Sequence, residues 1–130
     1  MKKKVLFVCT HNSARSQMAE GLLNNICGNT FEAYSAGSTP TRINPLSIEA
    51  LKEIGIDISS HYSKSTEDFM NIQFDYVITV CDNAKETCPF FPGAKNYIHK
   101  GFEDPSGVEG TEEDKLNAFR KSRDEIKRWI

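Results

Sequence analysis

Cys9 stands six positions before Arg15 in the run Cys9-Thr10-His11-Asn12-Ser13-Ala14-Arg15-Ser16. A Cys-x5-Arg spacing alone is a weak signal, and its setting gives it weight. The apolar run Val5-Leu6-Phe7-Val8 ends at the cysteine, and helical periodicity begins at the arginine. A loop that opens a helix presents unpaired backbone N–H groups and the positive end of the helix dipole. That cradle suits a tetrahedral oxyanion of the phosphate, sulfate or arsenate type. Arg15 adds a guanidinium fork matched to two oxygens of such an ion. The same field favours the thiolate form of Cys9, a nucleophile. Ser16 and Ser13 can donate hydroxyl hydrogens to the sulfur, and Asn12 tolerates the left-handed backbone that a nest of amides requires. Thr10, His11, Asn12, Ser13, Ala14, Arg15 and Ser16 are therefore the expected oxyanion-binding residues.

Three further cysteines are present, at positions 27, 81 and 88. The charged start Met1-Lys2-Lys3-Lys4 is followed by only four apolar residues, whereas a secretory h-region needs about 7–15, so the run reads as a strand and the expected location is the cytoplasm. In that compartment catalytic or redox cysteines are favoured over structural disulfides. No CxxC pair occurs and His11, His61 and His99 sit at no ligand-like spacing to the cysteines, so no metal site is expected.

At 130 residues the chain fits a single domain, 1–130, able to bury its own core. A net charge of −2 argues against nucleic-acid or membrane-surface partners, which favour a basic excess. No apolar run approaches the roughly 20 residues of a transmembrane helix. With no exposed apolar stripe asking for a partner, a monomer is the default.

The elements that must position these residues alternate between strand and helix patterns. Val5–Val8 is apolar throughout, as in a strand buried on both faces. Met18, Ala19, Leu22, Leu23 and Ile26 recur at helical spacing from Arg15 to Ile26, ending near Gly28. Residues 31–36 alternate as a second strand and stop at Gly37. Asn44-Pro45 opens a helix with Leu46, Ala50, Leu51 and Ile54 on one face and Gly55 at C′. Residues 65–70 read as a short capped helix, 76–80 as a buried strand and 96–99 as a weaker one. Thr111 and the acidic turn Glu112-Glu113-Asp114 open a last helix carrying Leu116, Phe119, Ile126 and Ile130 on one face. Alternation of this kind predicts an α/β fold, a parallel sheet with helices packed on its faces. Ligands of such sheets lie at the carboxyl ends of the strands near the switch in strand order. The Cys9 loop, Cys81 and the 101–107 stretch all follow strands, so they are expected to converge.

The chain resembles the low-molecular-weight protein tyrosine phosphatases and, more closely, the thioredoxin-coupled arsenate reductases built on that fold. The resemblance rests on Cys9 to Glu20, Tyr34-Ser35-Ala36-Gly37, Asn44-Pro45 with Gly55-Ile56-Asp57-Ile58-Ser59, Cys81 with Cys88-Pro89, and Gly101-Phe102-Glu103-Asp104-Pro105. His11 stands where glycine is usual. The resemblance implies a three-layer sandwich around a four-stranded parallel sheet. It implies Cys9 as nucleophile, Arg15 as oxyanion clamp and Asp104, stiffened by Pro105, as general acid. Asp-Pro by itself is an ordinary turn dipeptide.

Cys81 and Cys88 separate the two activities. Hydrolysis of a phosphocysteine needs no further thiol, whereas reduction of arsenate takes two electrons that thiols can supply. The resemblance implies a relay: Cys9 attacks arsenate, Cys81 attacks Cys9 to release arsenite and leave a Cys9–Cys81 disulfide, and Cys88 attacks Cys81. The Cys81–Cys88 disulfide is then reduced by thioredoxin, and no bound cofactor is implied. A helical 82–88 segment would hold the two cysteines about 10.5 Å apart along its axis, beyond the Cα separation of about 7 Å that a disulfide tolerates. The segment is therefore expected to unwind on oxidation. Ser106-Gly107 follows Asp104-Pro105 where the phosphatases typically carry tyrosines, which also favours a small inorganic anion. A tyrosine phosphatase is the alternative, and weak phosphatase activity is compatible with either.

Some arsenate reductases of the family hold potassium through positions matching Asn12, Glu20, Ser35 and residue 64. Here that residue is Lys64, whose ammonium can replace the cation, and no potassium is expected. Cys27 reads as a half-buried structural residue, and Met18 and Trp129 as packing. His99, Arg120, Lys121, Arg123, Lys127 and Arg128 read as solvated surface.

Overall fold

The computed structural model describes residues 2–81 and 94–130. Strand β1 (Lys3–Cys9) leads through helix α1 (Arg15–Ile26) to β2 (Phe31–Gly37) and α2 (Pro45–Lys52). A 3-10 turn, Thr66–Phe69, precedes β3 (Phe74–Thr79), and β4 (Ala94–His99), a second 3-10 turn, Pro105–Gly107, and α3 (Glu112–Trp129) complete the chain. The strands form one sheet in the order β2-β1-β3-β4, and every pairing is parallel.

The apolar run of β1 is continuous because both of its faces are covered. Val5, Phe7 and Cys9 join a core made with Met18, Ala19 and Leu22 of α1, Ala50 and Leu51 of α2, and Phe119 and Ile126 of α3. Leu6 and Val8 face the other way, onto Ala36, Phe69, Phe74 and Val77. There Tyr34, Phe69 and Phe74 meet edge to face at 5.6–6.0 Å between ring centroids. The result is the three-layer α/β arrangement implied by the sequence.

Helix boundaries follow their local chemistry. The Asn44 side chain accepts from Leu46 N–H, with Pro45 in the first turn. At the other end Gly55 N–H bonds Lys52 O and Ile56 N–H bonds Leu51 O, both at 3.0 Å, with Gly55 at φ +83°. This is a Schellman closure with glycine at the left-handed C′ position. Thr111 and Asp114 form a capping box at the start of α3, and Ser65 and Asp68 form another before the 3-10 turn.

Two expectations need correction. Strands β3 and β4 begin at Phe74 and Ala94, two residues before the 76–80 and 96–99 boundaries, because pairing extends back along both strands through Phe74 and Ala94. Arg123 is buried rather than solvated: its Nη1 donates to Ala50 O at 2.8 Å and to Glu53 Oε1 at 2.9 Å, tying α3 to α2. The expectations for Cys88, Pro89 and the 82–88 segment lie outside the described residues.

Chain direction reverses its progress across the sheet between β1 and β3. After β1 the chain moves outward to β2, and it returns to the other side of β1 at β3. The crevice of an open parallel sheet lies at that switch, beyond the carboxyl ends. Cys9 ends β1, and Cys81 follows β3 two residues after its last member.

Candidate active site

The loop between β1 and α1 is held from outside by its own carbonyls. Thr10 O accepts from Thr39 N–H at 2.9 Å, His11 O from Thr41 N–H at 3.2 Å and Ser13 O from Asn44 N–H at 2.9 Å. Asn12 O accepts from the Ser63 hydroxyl at 2.8 Å. In a trans peptide the N–H points opposite to the C=O, so outward carbonyls turn the amides of residues 11–14 to the other side. Ala14 occupies the N-cap of α1 and makes no side-chain cap bond, which leaves the first-turn amides to an incoming anion. Gly37 lies close against this loop: a Cβ there would sit 2.5 Å from Thr10 O and 2.9 Å from Asn12 N.

A chain of side chains orients the thiol. Lys64 N–H and Gln17 Nε2 donate to Asn12 Oδ1 at 2.8 and 2.9 Å. That fixes the Asn12 amide, whose Nδ2 donates to Ser16 Oγ at 2.8 Å. Ser16 Oγ in turn lies 2.8 Å from Cys9 Sγ, and it donates to the sulfur when Cys9 is the thiolate. Asn12 adopts φ +52°, the left-handed conformation anticipated for it. Cys9, Asn12, Arg15, Ser16 and Gln17 are all buried.

Arg15 is 3% exposed and its Nη1 donates to Phe102 O at 3.1 Å. Its Nη2 lies 3.7 Å from Asp104 Oδ2, while Asp104 Oδ1 accepts from Ser106 N–H at 3.0 Å and from the Ser106 hydroxyl at 2.7 Å. The Asp104 side chain is 35% exposed, at the mouth of the site. Burial strengthens the guanidinium as an anion clamp, and partial exposure leaves the carboxyl able to exchange its proton. The structure thus brings Cys9, Arg15, Ser16 and Asp104 together. His11 is exposed beside them.

Beside the loop, Glu20 Oε1 accepts from the Ser35 hydroxyl at 2.6 Å and lies 3.6 Å from Lys64 Nζ. His61 Nδ1 lies 3.5 Å from Glu20 Oε2 and 3.1 Å from Gln17 Oε1. Because Gln17 Nε2 donates to Tyr62 O and to Asn12, its Oε1 is the acceptor and His61 Nδ1 carries the hydrogen. A potassium ion does not fit this arrangement. The Lys64 ammonium already neutralises Glu20, and its side chain is only 12% exposed.

Cys81 is buried and belongs to the same apolar cluster as Cys9. Val80 N–H donates to Val8 O at 2.9 Å, which places the end of β3 beside the end of β1. Cys81 is disulfide-bonded, whereas Cys9 and Cys27 are free thiols, Cys27 half-buried. Cys88 lies outside the described residues. Among the described residues no group of three or more His, Cys, Asp or Glu side chains is placed to hold a metal ion. No described helix is long and apolar enough to cross a membrane.

The family model of low molecular weight phosphotyrosine protein phosphatases matches residues 4–129. The chain belongs to that family. Within the low molecular weight phosphatase family its relatives include an arsenate reductase of Halalkalibacterium halodurans, 44% identical over 99% of this chain and 93% of that one. Arsenate reductase 1 of Staphylococcus saprophyticus is 45% identical over 97% of this chain and 92% of its own length. Among solved structures, an arsenate reductase in a phosphate-binding state superposes with a TM-score of 0.83 at 34% identity, covering 99% of this chain and 93% of that one. A thioredoxin-dependent arsenate reductase of Corynebacterium glutamicum superposes at 0.69 with 34% identity, over 98% of this chain and 60% of the other.

Sequence reasoning gave no positioning role to Gln17, Ser63 or Phe102 O, and it read Gly37 only as the stop of a strand and Ser106 only as standing where a tyrosine is usual. Gln17 carried no usable signal either, since helical spacing puts it across α1 from the Met18, Leu22 and Ile26 stripe, yet it is buried.

Proposed function

We propose that this protein reduces arsenate to arsenite, with Cys9 as nucleophile, Arg15 and the loop amides as oxyanion site, and Asp104 as general acid. The observation that carries the reading is the pairing of a free, hydrogen-bonded Cys9 thiol with a disulfide-bonded Cys81 at the end of the neighbouring strand. Hydrolysis needs no second sulfur there; two-electron reduction does. Two full-length relatives named arsenate reductases support the same reading.

In this reading Cys9 attacks arsenate while Asp104 protonates the leaving oxygen. Cys81 displaces arsenite by attacking the Cys9 sulfur, and Cys88 takes over the disulfide as the third thiol. Thioredoxin reduces the Cys81–Cys88 pair, as the thioredoxin-dependent neighbour suggests, with no bound cofactor. The protein works as a cytoplasmic monomer.

The test is arsenate-dependent NADPH consumption with thioredoxin and thioredoxin reductase supplied. The unmodified chain is expected to turn over, and Cys81→Ser and Cys88→Ser are expected to stop turnover while retaining aryl-phosphate hydrolysis. Normal arsenate turnover in either variant rules out the relay. Aryl-phosphate hydrolysis without any arsenate turnover in the unmodified chain instead establishes the tyrosine phosphatase alternative.

A further inference from the structure

Gln17 is fully buried in the first turn of α1, and its side chain reaches three oxygens at once. Its Nε2 lies 2.9 Å from Asn12 Oδ1, 3.2 Å from Asn12 O and 2.9 Å from Tyr62 O. Two of these are backbone carbonyls, which only accept, so the amide nitrogen must face them. Its Oε1 is turned to His61 Nδ1 at 3.1 Å. One side chain thus joins α1, the Cys9 loop and the 61–64 stretch.

Satisfying these oxygens is not the task, because each has a second donor. Asn12 Oδ1 also accepts from Lys64 N–H at 2.8 Å, Asn12 O from the Ser63 hydroxyl at 2.8 Å, and Tyr62 O from Lys64 Nζ at 2.9 Å. His61 Nδ1 likewise has Glu20 Oε2 at 3.5 Å. What Gln17 adds is direction. Asn12 sits at φ +52°, a conformation that costs a non-glycine residue free energy, and Gln17 ties its backbone oxygen to its side-chain oxygen. With Oδ1 gripped from two sides, the plane of the Asn12 amide is set and Nδ2 reaches Ser16 Oγ at 2.8 Å. Ser16 Oγ is in turn 2.8 Å from Cys9 Sγ.

We propose that Gln17 is a positioning residue for the Cys9 thiolate, acting through Asn12 and Ser16, an inference that rests on Cys9 as the nucleophile of the reading above. A thiolate only accepts, so Ser16 gives it the hydroxyl hydrogen while taking one from Asn12 Nδ2. Hydrogen bonds in such a buried chain polarise and strengthen one another. Without the Gln17 amide the Asn12 side chain is held at one point instead of two and can turn about its last torsion. Ser16 then loses its fixed donor, and the negative sulfur loses part of its stabilisation.

The experiment measures the rate of alkylation by iodoacetamide across pH in reduced full-length chains: unmodified, Gln17→Met, Ser16→Ala and the double variant. Labelling of Cys9 is read on the tryptic peptide 5–15, which holds no other cysteine and no substituted position. Gln17→Met, similar in length but without donors, is expected to raise the pH of half-maximal rate by about one unit. Added to Ser16→Ala, it is expected to move that pH no further, because the path to the sulfur is already cut. Gln17→Glu, whose carboxylate accepts where a donor is needed, is expected to act like Gln17→Met. An unmoved pH in Gln17→Met, or an equal rise with and without Ser16, overturns the proposal. Loss of the fold in both position-17 variants, followed by circular dichroism, also overturns it and leaves Gln17 a structural role. No arsenate enters this measurement, so its failure is distinct from a failure of arsenate turnover in the unmodified chain.

Discussion

The Ser16 hydroxyl lies 2.8 Å from Cys9 Sγ while its oxygen accepts from Asn12 Nδ2, and with Cys9 as the thiolate, which can only accept, Ser16 is the donor to the sulfur. A hydrogen bond to a charged acceptor contributes about 1.5–3 kcal/mol. Ser16→Ala is therefore expected to slow alkylation of Cys9 by iodoacetamide at neutral pH by about 10-fold or more. Unchanged alkylation would show that the thiolate is held by the loop alone.

Gly37 bears on the loop without touching substrate. Its Cβ-to-be would collide with the backbone of Thr10 and Asn12, which cannot yield as a flexible side chain would. Gly37→Ala is expected to preserve the fold by circular dichroism yet cut arsenate turnover about 100-fold through a displacement on the order of 1 Å.

Asp104 and Arg15 should fail in different ways. Asp104→Asn keeps the Ser106 bonds but has no proton to give, and a loss of ~100-fold or more in turnover with little change in phosphate affinity is expected. Arg15→Lys loses the fork that holds both Phe102 O and an oxyanion, and competitive inhibition by phosphate should weaken together with turnover. Phosphate binding that survives Arg15→Lys would contradict the clamp.

Lys64 sits 3.6 Å from Glu20 in a half-enclosed cluster with Ser35 and His61. Turnover is expected to be the same in potassium chloride and sodium chloride at equal ionic strength. Lys64→Asp, which removes the ammonium and adds a carboxylate, should acquire a Tm that rises with potassium. A steep potassium response in the unmodified protein would refute the substitution of ion by side chain.

Glu53 links α2 to α3, and the Arg120 guanidinium, helped by Arg123, pulls its carboxyl from 4.5 down to about 2. A carboxylate held below its ordinary value stabilises the fold above pH 4.5, and that contribution disappears as pH falls toward 2. The Tm gap between the unmodified chain and Glu53→Gln should accordingly be widest above pH 4.5 and close near pH 2, measured by thermal unfolding across that range.

What could be read in advance followed local chemistry. The continuous apolar run before Cys9, the Asn44-Pro45 start and Gly55 at the close of α2 each state a backbone requirement in a few adjacent residues, and the structure meets each one. Arg123 misled because its helix carries basic neighbours, and only the approach of Ala50 and Glu53 from another helix turns it inward. Gln17, Ser63 and Phe102 O were illegible for the same reason. Their partners lie 5, 51 and 87 positions away, and no spacing rule encodes such encounters. The meeting of Arg15 with Asp104 was approached through the resemblance; the phenylalanine carbonyl that steadies Arg15 was not.

Phe102 faces two ways through its backbone. Its N–H is held by Val80, one residue before Cys81, and its carbonyl holds the Arg15 guanidinium. One residue is thus the rigid coupling between the place where the second sulfur is anchored and the group that grips the anion. A strain applied at the end of β3 reaches the guanidinium after crossing a single amino acid. Evolution acting on either half of the chemistry must therefore respect the other, and a substitution that shifts position 102 should be felt as one defect in both.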